Sequence, residues 1–375
     1  MRDEPVIVAA RRSPIGTRSR ALSDLTVDQL AGPIIRAALA DAEAATGSTL
    51  TIADVILGNC MGPGGNPARI SALAAGLDVS VPGTTVDRQC GSGLAAIIDA
   101  VSAIRAGDHR ARIAGGVESG STAPTRSIDG VPYERAPFAP AGWPDPDMLQ
   151  AAEDLSRADG ITRDRQDAHA ARSHQRAREA RDNGRFDAEI VTLDGVASDD
   201  SIGVAEPLLA RLLPLFPGGT VTAGTSTRIS DGAATVAVVP HHLRGGAAGL
   251  VIRGYAIVGC DPALPGIGAA PAVIAALENA SVKIGDVTAI EIVEAFASQS
   301  LAVLDRIGLA DDDPRVCADG GALALGHPWG ASGAVSVVRL FSRLVRGGAR
   351  PGTLGVAAAS VGGGMGVAAV VEVLR

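Results

Sequence analysis

Aromatic residues are nearly missing from this 375-residue chain: five phenylalanines, two tryptophans and two tyrosines make up 2% of it. With 46% hydrophobic residues and 47 glycines, Ala, Val, Ile and Leu must fill the interior, which suits close-packed helices and buried strands. Lysine is scarce, and no phosphate-loop lysine motif occurs. Cationic excess is also lacking. The net charge of −8 argues against nucleic acid as the main partner, although a local basic cleft can still hold phosphates. The four cysteines, at 60, 90, 260 and 317, show no Cys-x-x-Cys spacing and no clustered histidines. That disfavours a metal site, and a disulfide framework is not expected in a chain of this length. His241-His242 has no partner ligands nearby, and Gly266-Ile267-Gly268 lacks the third glycine of a dinucleotide loop and reads as a turn.

No apolar leader precedes Val6. The one long uncharged run, between Arg350 and Glu372, is long enough to span a bilayer. It is broken by glycine and reads instead as two short apolar strands joined by Gly362-Gly363-Gly364. A cytoplasmic protein without membrane contact is the expectation.

Against this background Cys90 stands out, in Val86-Asp87-Arg88-Gln89-Cys90-Gly91-Ser92-Gly93. A β-type run precedes it and a helix of small residues follows. A helix N-terminus offers unpaired N–H groups and partial positive charge. In such settings a cysteine pKa can fall from about 8.5 to roughly 3.5–7.5. The alternative is a small buried hydrophobe.

The chain also repeats itself. The helix-period segment Leu30–Ala45 and the strand Ile52–Ile56 match Pro271–Ala280 and Ile284–Thr288. Cys90-Gly91-Ser92-Gly93 matches Gly330-Ala331-Ser332-Gly333, and an apolar strand follows each, near Arg112–Gly116 and Leu354–Ala359. The last strand, Ala234–Val239, parallels Val367–Val371. The economical account is an α/β protein of two duplicated βα layers, mostly parallel, with a cap of about 110 residues inserted into the first. The expected domains are 1–118 with 229–250, the insert 119–228, and 251–375. The insert begins Pro-rich and turns helical at Thr162, a candidate N-cap. The arginines of 172–185 read as a solvated face or as partners for a polyphosphate.

These blocks resemble the thiolase family, acyltransferases that make or cleave 3-ketoacyl-CoA. The likeness runs through Val8–Gly16, Asn66–Arg69, the Cys90 block, Ser173–Ala177, Gly219–Gly224, Ser230–Ala234, Glu294–Ala297 and Gly320–Pro328. Reduced ketoacyl synthases are a more distant match, because Gly326-His327-Pro328-Trp329-Gly330-Ala331-Ser332-Gly333 is thiolase-like. The resemblance implies a five-layer αβαβα fold with an inserted loop domain, and a homodimer or homotetramer. It implies Cys90 as the acyl-accepting nucleophile and His327 as the base that activates it. Backbone N–H groups of Cys90 and Gly362 would form one oxyanion hole, with His327 serving a second. Thr227, Met148, Val293 and Phe296 would contact the substrate. Coenzyme A and acyl-CoA enter as substrates, with no metal and no covalently bound cofactor.

Two positions depart from the family pattern. Its second cysteine, which shuttles the α-proton during C–C chemistry, is Ser360, and the asparagine of Asn-Glu-Ala-Phe is Val293. Asp147, Thr225 and Pro265 replace a histidine, an asparagine and a methionine. Serine is a far weaker acid than cysteine, so acylation machinery is kept while deprotonation machinery is altered. Cys317 could substitute but reads as packing. The sequence thus supports an acyl-CoA C-acyltransferase. Its alternatives are acyl transfer to oxygen, nitrogen or water, a specialised condensing enzyme, or a non-catalytic acyl-CoA-binding subunit.

Overall fold

Small-residue helices alternate with short apolar strands because Ala, Gly and Val let backbones approach closely on both sides of a sheet. The computed structural model describes residues 4–133, 135–203 and 206–375. Its main elements are β1 (Pro5–Arg12), α1 (Val27–Thr46), β2 (Ile52–Gly58), α2 (Pro67–Ala74), β3 (Gly83–Val86), α3 (Ser92–Arg105) and β4 (Ala111–Glu118). They continue through α4 (Met148–Asp159), α5 (Arg163–Asp182), β5 (Ser230–Pro240), β6 (Gly249–Gly259), α6 (Ala269–Ala280) and β7 (Val287–Ile292). Last come α7 (Ala297–Ile307), α8 (Trp329–Leu340), β8 (Leu354–Val361) and β9 (Met365–Leu374). No described helix is long and apolar enough to cross a membrane.

The strands follow the order β7-β8-β9-β6-β1-β5-β4-β2-β3. The repeat is visible in the pairing. β2 lies parallel to β4, β4 antiparallel to β5, and β5 antiparallel to β1. In the second half β7 lies parallel to β8, β8 antiparallel to β9, and β9 antiparallel to β6. The sheets are therefore mixed, not mostly parallel as expected. The reason is local: the Gly362-Gly363-Gly364 link is far too short for a crossover, so β9 must fold back antiparallel on β8. The two sets of strands touch where Ile7 pairs with Leu250.

Three apolar clusters define five layers. α1 and α2 cover the outer face of the first strand set through Leu30, Ile34, Ile35 and Ala72. α6 and α7 cover the outer face of the second through Val273, Ala276 and Leu304. Between the inner faces lie α3 and α8, contributing Leu94, Ile97, Val101, Ala334 and Val338 to the central cluster. Helices buried on both sides must be apolar all round, and α3 and α8 are buried along nearly their whole lengths.

One polar network crosses this interior. Arg12, fully buried, donates to Glu189 at 2.7 Å and to Asp199 at 2.7 Å and 3.0 Å. Arg339 of α8 also donates to Glu189 and to Asp319. Both guanidiniums stack on Phe186, at 5.2 Å and 4.7 Å from its centroid. These charges tie the 185–199 segment to β1 and α8. Thr162 caps α5 as expected, accepting from the Arg165 N–H. The arginines of 172–185 divide: Arg181 lies on the solvated face beside Asp182, as expected, while others bind the second half. Arg172 and Arg176 donate to carbonyls of Asp311 and Val316, and Arg185 pairs with Asp319. They dock α5 onto the second half.

Glu189→Ala would take one of two carboxylate partners from each of two buried guanidiniums. We expect a loss of about 3–5 kcal/mol of stability, read as a lower urea midpoint with an unchanged slope; an unaltered midpoint would contradict the role given to this network.

Candidate active site

The nucleophile turn is built from residues 87–92. Gln89 sits at φ +44°, a strained conformation for a non-glycine residue and one that persists where surroundings over-determine it. The Ser92 hydroxyl donates to the Gln89 carbonyl at 2.7 Å and accepts from the Arg88 N–H at 2.7 Å. The Cys60 thiol donates to the same carbonyl at 3.2 Å. Cys90 thereby stands one residue before the N-cap Gly91 of α3.

His327 arrives from the second half. Its N–H reaches the Arg228 carbonyl at 3.0 Å and the Ser230 hydroxyl at 3.1 Å, which fixes the loop before α8. Its Nε2 lies 3.3 Å from Cys90 Sγ and its Nδ1 lies 2.6 Å from Ser332 Oγ. The Ser332 hydroxyl donates to the Pro328 carbonyl at 3.1 Å. Its one proton is thus used, so Ser332 accepts from Nδ1–H and leaves Nε2 as an acceptor facing the thiol.

Burial works against a resting thiolate at this turn. Burial pushes the Cys90 thiol up to about 12, against the N–H groups of Cys90 and Gly362, which pull it down. Burial also lowers His327 to about 4. Desolvation disfavours both charged forms, so the pair is neutral thiol and neutral imidazole.

Both residues open into a cavity of about 400 Å³. Gly362, Ser360, Thr227, Met148 and Phe296 line it as well, so these sequence-derived residues share one site. Val293 does not. It is buried in the central cluster and borders a separate cavity of about 30 Å³ behind Ser332. Its side chain meets the core because its N–H is bound to the Ala358 carbonyl at 2.9 Å, extending the β7 ladder. Cys317 is buried in the outer cluster with its thiol directed to the Ile292 carbonyl at 3.4 Å, which is packing. Thr227 lends its hydroxyl to the Ala322 carbonyl at 2.6 Å. Asp147 caps α4 by accepting from Leu149 N–H at 2.9 Å while facing the cavity.

Ser360 is held on three sides. Its hydroxyl donates to the Gly266 carbonyl at 2.6 Å and accepts from Ala269 N–H at 3.0 Å and Gln299 Nε2 at 3.4 Å. A hydroxyl so engaged is a strut between β8 and the 266–269 turn. Gln299, Phe138, Trp329 and Met61 also line the cavity; no motif in the sequence singled them out.

Alkylation reports the resting state of Cys90. Its labelling by iodoacetamide, followed on the Cys90 peptide, should climb about tenfold per pH unit from 6 through 10 as thiolate appears. A plateau between pH 5 and 8 would instead reveal a preformed thiolate–imidazolium pair.

Known proteins match the chain along its length. Residues 5–242 match the profile described as thiolase, N-terminal domain, and residues 248–373 that of thiolase, C-terminal domain. The Bacillus subtilis (strain 168) protein named "Putative acetyl-CoA C-acetyltransferase YhfS" is 41% identical over 379 residues, 98% of this chain and 99% of that one. A Staphylococcus haemolyticus protein named "Putative acetyl-CoA C-acetyltransferase VraB" is 39% identical over 391 residues, 99% of each chain. The crystal structure of the Bacillus anthracis acetyl-CoA acetyltransferase superposes with a TM-score of 0.91 at 34% identity, covering 99% of both chains. With both halves matched and the fold shared from end to end, this chain belongs to the thiolase family.

Proposed function

We propose that the protein is an acyl-CoA C-acyltransferase that carries the acyl group on Cys90. The observation that supports this best is the 3.3 Å contact between Cys90 Sγ and an Nε2 fixed as acceptor, inside a cavity. As sulfur attacks the thioester carbonyl, the thiol proton passes to His327 Nε2. The oxyanion that forms is met by the N–H groups of Cys90 and Gly362, which already face the sulfur. Collapse breaks the bond to the CoA sulfur, and the imidazolium returns its proton to that leaving thiolate. The acyl-cysteine then passes its acyl group to CoA or to an acyl-CoA carbanion. The names of its relatives support acetyl-CoA as a donor, and Met148, Ala151, Ala152 and Leu155 of α4 offer an apolar wall for a pantetheine arm. In this reading residues 119–228 act as the loop domain that closes over coenzyme A, in a homodimer or homotetramer.

Ser360 favours a particular second step. Its proton lies on the Gly266 carbonyl, and serine is a poor base for removing an α-proton. The acceptor is then one that supplies its own acidity, such as a malonyl-type thioester losing CO₂ or a 1,3-dicarbonyl chain, or one needing no carbanion.

Intact-protein mass spectrometry after mixing with acetyl-CoA should show one acetyl adduct, absent from Cys90→Ala. His327→Ala should form it about 10²–10⁴-fold more slowly. Ser360→Ala should acylate at the wild-type rate. A wild-type protein that takes no adduct from acetyl-CoA or longer acyl-CoAs would overturn the reading.

A further inference from the structure

Resting on the acyl-Cys90 reading, we propose that Phe138 is the shield that keeps water from the acyl-enzyme, held in place by Arg135 and Asp145. Phe138 shares the cavity with Cys90, His327 and Gly362. Its ring edge occupies the space beside Gly362 where a side chain would begin: a Cβ there would stand 2.7 Å from Phe138 Cε2 and 3.0 Å from Cδ2. Gly363, at φ +83°, leaves similar room, with Phe138 Cβ 3.3 Å from the corresponding point.

The ring is clasped from its other side. The Arg135 guanidinium lies 4.7 Å from its centroid. Asp145 accepts from Arg135 Nη1 at 2.8 Å and from the Phe138 N–H at 3.2 Å, while its carbonyl accepts from Arg135 Nη2 at 3.2 Å. Arg135 keeps the Asp145 carboxyl below its ordinary range, so the clasp is ionic at neutral pH. A Pro-rich stretch with few apolar neighbours thus delivers one of the chain's five phenylalanines onto the turn that carries an oxyanion donor.

The chemistry gives such a cover a purpose. The N–H pair that stabilises attack by coenzyme A also stabilises attack by water. In the unwanted step a water oxygen bonds to the acyl carbon, the bond to Sγ breaks, and one water proton ends on the Cys90 thiol while a free carboxylic acid leaves. Coenzyme A is the stronger nucleophile but water is far more concentrated, so exclusion of water lengthens the life of the acyl-enzyme.

The test is the fate of a preformed acyl-enzyme. Wild type, Phe138→Ala, Phe138→Leu and Asp145→Asn are acetylated with acetyl-CoA and freed of excess donor. Adduct loss is then followed by intact mass, with and without CoA. We expect decay in buffer to quicken about tenfold or more in Phe138→Ala, less in Asp145→Asn, and to return towards wild type in Phe138→Leu. If Phe138→Ala fails to fold, Asp145→Asn carries the test alone. If adduct is lost too fast to isolate, CoA released from acetyl-CoA without an acceptor reports the same leak. Normal adducts with unchanged decay in buffer would overturn the shield alone. No adduct on the wild type would overturn the acyl-Cys90 reading and the shield together.

Discussion

The close approach of two helix starts between the strand layers is the constraint on which the rest of the molecule depends. α3 and α8 enter the central layer backbone against backbone. A Cβ on Gly93 would stand 2.8 Å from the Gly330 carbonyl, and one on Gly333 would stand 2.8 Å from Leu94 N. No side chain larger than hydrogen fits at this crossing. The positive end of α8 is met there by Glu118, which accepts from the N–H groups of Gly330, Cys60 and Met61 at 2.9–3.0 Å and from Asn59 Nδ2 at 3.0 Å. Burial raises the pKa of this carboxyl, while its N–H donors oppose the rise. Such a carboxylate suits a helix N-terminus. The crossing brings residue 90 of the first half beside residue 327 of the second, and the 3.3 Å contact between Cys90 Sγ and His327 Nε2 is the consequence.

That placement also decides the electrostatics. Cys90 stands ahead of a helix N-terminus, and by helix logic alone its thiolate should be favoured. Burial wins instead, because two N–H donors do not offset the loss of water around a full charge. A neutral thiol beside a neutral imidazole costs the resting protein little. In the proposed reaction charge separates when a thioester carbonyl arrives to receive it, and the N–H groups of Cys90 and Gly362 already face the sulfur.

Much of this was legible in the sequence. The duplicated layout and the glycine-opened helices follow from motif order, because close backbone approach demands glycine wherever it occurs; the pairing of Cys90 with His327 comes from the family resemblance. Strand direction was less legible: periodicity marks β8 and β9 as strands, but the three-glycine link sets their antiparallel pairing. The arginines of α5 read as solvent-facing because their acceptors are backbone carbonyls more than a hundred residues away, at Asp311 and Val316. Val293 occupies a motif position yet faces the core, since the β7 ladder continues one residue further than the motif suggests. The burial that pushes the Cys90 thiol up was not legible, because it is a property of the assembled layers and not of the local turn. Phe138 lay hidden in a proline-rich stretch whose path no local pattern specifies.

Ser360 shows how the site holds together after losing the family's second thiol. The replacement keeps the architecture: its hydroxyl binds the 266–269 turn and Gln299 at once, and Gln299 Oε1 accepts from the Ala295 N–H at 3.1 Å. The wall of the cavity beside Phe296 is therefore braced by hydrogen bonds that a thiol would make less well. What is given up is an acid–base group that could move a proton on carbon. In the proposed reaction the acyl-enzyme is made by the other side of the cavity, from Cys90 through His327 to Ser332. A site divided in this way can lose one proton-transfer group and still hold an activated acyl group, and its chemistry then turns on which nucleophile reaches that carbon first.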